Sequence, residues 1–152
     1  MSYTLIVVDV QPRFSAAKKV KKACIKEINK AIDNKAHIVF LEFVEYGDTY
    51  QELIDVLKEK QYKKFGIGFK EEDDGSDQVK EIITKKRMIK SKFKVVGVNT
   101  GYCVLATVEG LAEKYPKANI EVLSKACNSA FYHKTELGWI EHNKHLLNVK
   151  VL

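Results

Sequence analysis

Short apolar runs alternate with stretches of helical periodicity along the whole chain. Residues 3–10 are apolar almost without break until Asp9, the pattern of a strand buried on both faces. Over residues 18–34, Val20, Cys24, Ile28, Ala31 and Ile32 recur at helical spacing among Lys and Glu. Residues 38–44 predict a second strand, and residues 49–60 a second helix carrying Tyr50, Leu53, Ile54 and Leu57. A shorter strand with two glycines is expected over 65–69. The turn Asp73-Asp74-Gly75-Ser76 follows, with Ser76 placed to cap a helix bearing Val79, Ile82 and Ile83. Residues 93–98 read as a fourth strand, and from Thr100 the apolar spacing turns helical through Val104, Val108, Leu111 and Ala112. A strand over 119–123, a helix over 135–145 and a last strand over 148–151 complete the pattern.

Strands that alternate with helices form a parallel sheet covered on both faces, so the fold class is α/β. The 152 residues carry no repeat, linker or low-complexity tract, and one domain spanning 1–152 is expected. In such sheets ligands bind beyond the carboxyl ends of the strands, where the strand order reverses. Asp9 ends the first strand, Phe69-Lys70 the third, and Cys103 follows the fourth, so a carboxylate, an ammonium and a thiol converge on one rim.

Composition narrows the choice of function. A hydrophobic fraction of 45% is ordinary for a globular protein, and no run is long enough to cross a bilayer. Asp9 interrupts the first apolar run, which therefore does not read as a signal peptide. Three cysteines, odd in number and far apart, make no disulfide framework and point to a reducing cytoplasm. The net charge of +6 raises the question of nucleic acid. The basic residues are nearly all Lys on outer helix faces, as at Lys18, Lys22, Lys26 and Lys30, without Arg or interleaved aromatics. A solvated surface accounts for them, and no nucleic-acid partner is expected.

Several chemistries fail on the residues present. A dinucleotide site needs a glycine-rich first turn, and here that turn is Val10-Gln11-Pro12-Arg13-Phe14. A cysteine phosphatase needs Arg six residues after its Cys, where this chain has Glu109. There is no Cys-x-x-Cys, and His142 and His145 lack acidic or Cys ligands at metal spacing, so neither a cofactor nor a metal is expected. What remains is Cys103. A thiol in the first turn of a helix meets free N–H groups and the positive dipole end, which favour the thiolate. A free Cys is equally often a small buried hydrophobe, and from this segment alone both readings stand. Taken alone, Asp9 reads first as a strand-end cap. With Cys103 on the same rim it is also a base able to take the thiol proton, and a Lys beside both would stabilise their charged forms. Backbone N–H groups in the turn before Cys103 would receive a developing oxyanion.

These residues resemble the isochorismatase-like cysteine hydrolases. The likeness rests on Asp9-Val10-Gln11-Pro12-Arg13-Phe14, on Gly97-Val98-Asn99-Thr100 leading to Cys103-Val104 with Thr107 one turn on, and on Lys70 before its turn and helix. It extends from Tyr3 to Ser129, where Ala126-Cys127 is similar to an Asp-Ala-Cys segment with Lys125 in place of the Asp. The resemblance implies a three-layer, doubly wound, six-stranded sheet in the order 3-2-1-4-5-6 and an Asp9–Lys70–Cys103 triad. It further implies a cis peptide before Asn99, an oxyanion hole from the backbone of Asn99 and Cys103, and Phe14 in the substrate pocket with Tyr102 as its neighbour. Nicotinamidase-type members carry an Asp and paired His after the second strand for a metal; here the stretch Phe43-Val44-Glu45-Tyr46-Gly47-Asp48 has no His. Members that cleave isochorismate lack the Cys, so its presence points to C–N hydrolysis.

The expected function is therefore metal-independent hydrolysis of a small amide, imide or ureido compound through a Cys103 thioester. The alternative is a catalytically silent ligand-binding or regulatory protein on the same scaffold, and a flavodoxin-like mononucleotide binder is disfavoured by the missing phosphate loop. A homodimer or higher homo-oligomer is expected by resemblance, with Phe131, Tyr132 and Trp139 as a candidate apolar patch.

Overall fold

In the computed structural model, which describes residues 2–152, six parallel strands lie between two layers of helices. The strands are β1 (Thr4–Val8), β2 (His37–Phe43), β3 (Phe65–Lys70), β4 (Lys92–Val98), β5 (Asn119–Asn128) and β6 (Val149–Val151). The helices are α1 (Ala17–Asp33), α2 (Gln51–Glu59), α3 (Ser76–Lys86), α4 (Leu105–Lys114) and α5 (His133–Glu141). The sheet order is β3-β2-β1-β4-β5-β6, as expected from the resemblance. Its order reverses between β1 and β4, so the carboxyl ends of those strands form the crevice where this architecture places ligands.

Strand alternation builds two cores. Leu5 and Val7 face α1 and α2 with Ile38, Phe40, Leu53 and Val96, whereas Ile6 and Val8 face α3 and α4 with Val39, Leu41, Val95 and Val108. Gly66 and Gly68, the two glycines of β3, serve packing. A Cβ on Gly66 would stand 2.8 Å from Ile82 and one on Gly68 3.0 Å from Gln78 Cβ, so their absence lets α3 lie close on β3. No helix among the described residues is long and apolar enough to cross a membrane.

Four elements differ from the sequence expectation. Ser76, expected to cap α3, is its first residue, and its N–H is accepted by Asp74 Oδ1 at 2.7 Å. β5 runs on to Asn128, because its register against β4 jumps from Val95↔Val122 to Gly97↔Cys127. The polar Ser124 and Lys125, which end the apolar run in the sequence, sit inside that bulge. Helix α5 stops at Glu141, where Asn143 turns the chain by accepting the His145 N–H at 2.9 Å. The helix expected from Thr100 opens as a π-helical turn, Thr100–Val104, in which the Val104 N–H reaches back to Asn99 O at 3.1 Å. Such turns recur at functional sites.

Candidate active site

Asp9 follows the last residue of β1 and adopts φ +52, a conformation that Asp tolerates better than most residues. Its N–H still bonds to Leu41 O at 3.0 Å, so the residue stays attached to the sheet. The kink also shifts the alternation: Val8 belongs to the core under α3 and α4, and Val10 to the core under α1 and α2. Lys70 is the last residue of β3, paired with Phe43 on β2. Cys103 follows β4 inside the π-helical turn, and the Val98–Asn99 peptide ahead of it is cis, as expected.

The three side chains meet. Lys70 Nζ lies 2.8 Å from Asp9 Oδ2, with both side chains wholly buried. The ammonium also donates to Glu72 O (3.0 Å) and Asp73 O (3.2 Å), so its three N–H bonds are all engaged. The Phe43 ring stands 4.2 Å from the same nitrogen, an additional cation–π contact. Cys103 is 3% exposed and close enough to Asp9 for each group to shift the other's titration. Its thiol points to Asp73 Oδ1, 3.7 Å away, and Asp9 Oδ1 keeps no hydrogen-bond partner.

Burial pushes Asp9 up to about 6, against the opposing pull of Lys70. Burial likewise pushes the Cys103 thiol up to about 12; Asp9 adds to this, and Lys70 only partly offsets it. Of the two readings the sequence left open for Cys103, a thiolate at a helix start and a small buried group, burial weighs toward the second. Removal from water outweighs that placement, and the resting sulfur is a neutral thiol beside a carboxylate that ionises just below neutral pH.

The surrounding residues explain the motif spacing. Gln11, fully buried, donates through Nε2 to Phe43 O (3.0 Å) and Gly47 O (2.7 Å) and accepts the Phe43 N–H at 2.8 Å. It therefore ties the turn after β1 to the loop after β2 and seats the ring that covers Lys70. Phe14 stacks on Tyr46 with centroids 4.4 Å apart and meets Phe43 edge-on at 6.3 Å, so the structure puts it in an aromatic group next to the triad. Tyr102 adjoins Cys103 in sequence and is more than half exposed. Asn99 O accepts the Tyr102 and Val104 N–H groups, which shapes the nucleophile turn. Sequence reasoning missed Asp73 as the thiol's neighbour. It also missed the part of Thr107, whose Oγ1 accepts from Gly75 N (3.0 Å) and donates to Asp73 O (3.4 Å). The only signal for Thr107 was its fixed distance from Cys103.

The loop after β2 does not fit a metal. Glu42 spends one carboxylate oxygen on the Thr49 N–H (2.9 Å) and hydroxyl (2.7 Å), Glu45 and Asp48 are exposed, and no His is there. Among the described residues no three His, Cys, Asp or Glu side chains gather in a way that could hold an ion.

No family model matches the chain, and no curated protein does. Solved structures do. A pyrazinamidase/nicotinamidase from Streptococcus mutans superposes with a TM-score of 0.80 at 19% identity, over 99% of both chains. An isochorismatase-like hydrolase from Alkaliphilus metalliredigens gives 0.77 at 15% identity, over 99% of this chain and 94% of that one. A ribonuclease from Caenorhabditis elegans gives 0.80 at 20% identity, over 99% of this chain and 76% of the other. The chain thus has the fold of the nicotinamidases and isochorismatase-like hydrolases.

Proposed function

We propose that this protein is a cysteine hydrolase that cleaves a C–N bond of a small amide, imide or ureido compound through a Cys103 thioester. The observation that carries the reading is the buried Asp9–Lys70 pair, 2.8 Å apart, set against the Cys103 thiol at the strand ends. Two further facts support it: the fold is shared with nicotinamidases, and the donor set after β2 does not suit a metal.

In this mechanism Asp9 takes the thiol proton as Sγ bonds to the substrate carbonyl carbon. The backbone N–H groups of Asn99 and Cys103 receive the oxyanion. Collapse breaks the C–N bond, and Asp9 passes its proton to the departing nitrogen. Water then adds to the thioester with Asp9 again as base, the acid leaves, and the proton returns to sulfur. Lys70, with its N–H bonds engaged, keeps Asp9 ionisable in a dry site. Phe14 and Tyr102 would contact the substrate. The whole chain, residues 1–152, acts as one domain, and three unpaired cysteines suit a reducing cytoplasm. The exposed Phe131, Tyr132 and Trp139 are the proposed contact of a homodimer, which light scattering tests.

A panel of nicotinamide and ureido acids with ammonia release as readout, and of cyclic imides with ring opening followed by ultraviolet absorbance, tests the activity. Turnover that disappears in Cys103→Ala, with an acyl adduct on Cys103 in mass spectra, is expected. Turnover that survives that substitution would overturn the reading. The near-complete burial of Cys103 favours one second reading, a binding protein without turnover. It predicts that the panel compound bound by Cys103→Ala is bound, unchanged, by the wild type as well.

A further inference from the structure

The nucleophile turn is held by a helix that the triad does not use. Glu136, in the middle of α5 and 3% exposed, accepts the Gly101 N–H at 2.7 Å and the Ser129 hydroxyl at 2.6 Å on the same oxygen, Oε1. One residue earlier in the turn, Thr100 Oγ1 bonds to His133 Nδ1 at 2.8 Å. Helix α5 thus reaches the π-helical turn at two consecutive positions, and Glu136 joins that turn to the end of β5. A carboxylate buried this deeply costs stability unless it is hydrogen-bonded, and both of its bonds go to segments flanking the nucleophile. Gly101 fits the same contact. A Cβ there would fall 2.5 Å from Glu136 Cγ and 2.7 Å from the Trp139 ring, so only glycine lets the turn approach the carboxylate.

We propose that Glu136 is a positioning residue: through Gly101 it fixes the turn and thereby sets the place of Cys103 Sγ beside Asp9. The inference rests on the cysteine-hydrolase reading for its catalytic consequence, though not for the clamp itself. Sulfur sits two residues beyond the clamped N–H, and a displacement of about 1 Å at a reacting atom can cost on the order of 100-fold in rate.

The probe is p-nitrophenyl acetate. Sγ attacks its acetyl carbon, the thiol proton passes to Asp9 and on to solvent, and p-nitrophenolate leaves as a burst that reports thioester formation at Cys103. Glu136→Ala should slow the burst about 10-fold or more while leaving its amplitude near one per chain. Glu136→Gln keeps an acceptor oxygen for both donors and should restore most of the rate. Lys63→Ala serves as the unaffected control. In parallel, hydrogen exchange at the Gly101 amide should quicken in Glu136→Ala and stay slow in Glu136→Gln. A burst in Glu136→Ala within twofold of wild type, or unchanged Gly101 exchange, would overturn the inference. Should Glu136→Ala fail to fold, Gly101→Ala tests the same contact from the other side and should slow the burst similarly; an unaltered burst there would overturn it as well. A wild type without any burst at Cys103 would count against the hydrolase reading, and the exchange comparison would then decide the clamp alone.

Discussion

Replacing Lys70 by Met keeps the buried stem and removes the ammonium, and the consequence for Asp9 follows from its titration. Asp9 is raised from 3.8 to about 6 with Lys70 in place. Keeping it ionised at pH 7 therefore costs the fold ~3 kcal/mol, at ~1.36 kcal/mol per pH unit between the unfolded and folded values. Without the ammonium the folded value rises further, and a native state that holds the Asp9 proton at pH 7 is the expected outcome. The cost is then set by the interval from 3.8 to 7, about 4 kcal/mol, so the variant loses roughly 1 kcal/mol more than the wild type. The sign follows from proton counting: the native state binds more protons than the unfolded chain, so stability falls as pH rises. At pH 5 Asp9 is largely protonated in both proteins and the difference vanishes. At pH 8 it reaches roughly 3 kcal/mol if the variant's Asp9 still holds its proton. The freed Glu72 and Asp73 carbonyls and the ammonium's own burial add a contribution that does not vary over this range. Urea unfolding followed by far-UV circular dichroism at pH 5, 6, 7 and 8 measures the gap between the two proteins. A gap that stays flat from pH 5 to pH 8 would show that Lys70 does not govern Asp9, and the reasoning would be refuted.

Other outcomes follow from the same geometry. Wild-type turnover should rise with pH through an apparent value near 6, as Asp9 loses the proton that blocks it as a base; a limb near 4 would exclude Asp9 from that part. Brief iodoacetamide exposure should alkylate Cys103 faster than Cys24 or Cys127, whose thiols point to the backbone carbonyls of Ala126 and Val95, and mass spectrometry reads the order. Gln11→Leu removes three part-buried hydrogen bonds to the backbone of Phe43 and Gly47 and should cost ~3 kcal/mol in urea unfolding, at about 1 kcal/mol per bond; a loss under 1 kcal/mol would show that the loop holds itself.

The fold was legible because its strands are buried on both faces and its helices on one, which leaves two distinct periodicities in the sequence. That Asp9, Lys70 and Cys103 share one rim was legible for a related reason: each stands at or shortly after the carboxyl end of a strand. The bulge in β5 was not, since Ser124 and Lys125 interrupt the apolar run just as a strand end would. The state of Cys103 was not legible either. A local motif shows the helix start, but the degree of burial is fixed by β3, α3 and the loop around Asp73, all distant in sequence. Glu136 and Thr107 stayed hidden for the same cause, because one charged and one hydroxyl residue on amphipathic helices look like surface until their partners are placed.

The Asp9–Lys70 pair has no solvent contact, although 26 basic and 20 acidic residues cover much of the chain. Dissolved ions screen surface charges over ~8 Å at physiological ionic strength but barely reach a dry pair. The chemical step should therefore be indifferent to added salt, and only capture of the substrate can depend on it. A small neutral amide gives a flat response in both. An anionic substrate would be drawn in by the surface lysines, and its capture would weaken as dissolved ions screen them. Ionic strength thus separates a neutral from an anionic substrate, without any change to the protein.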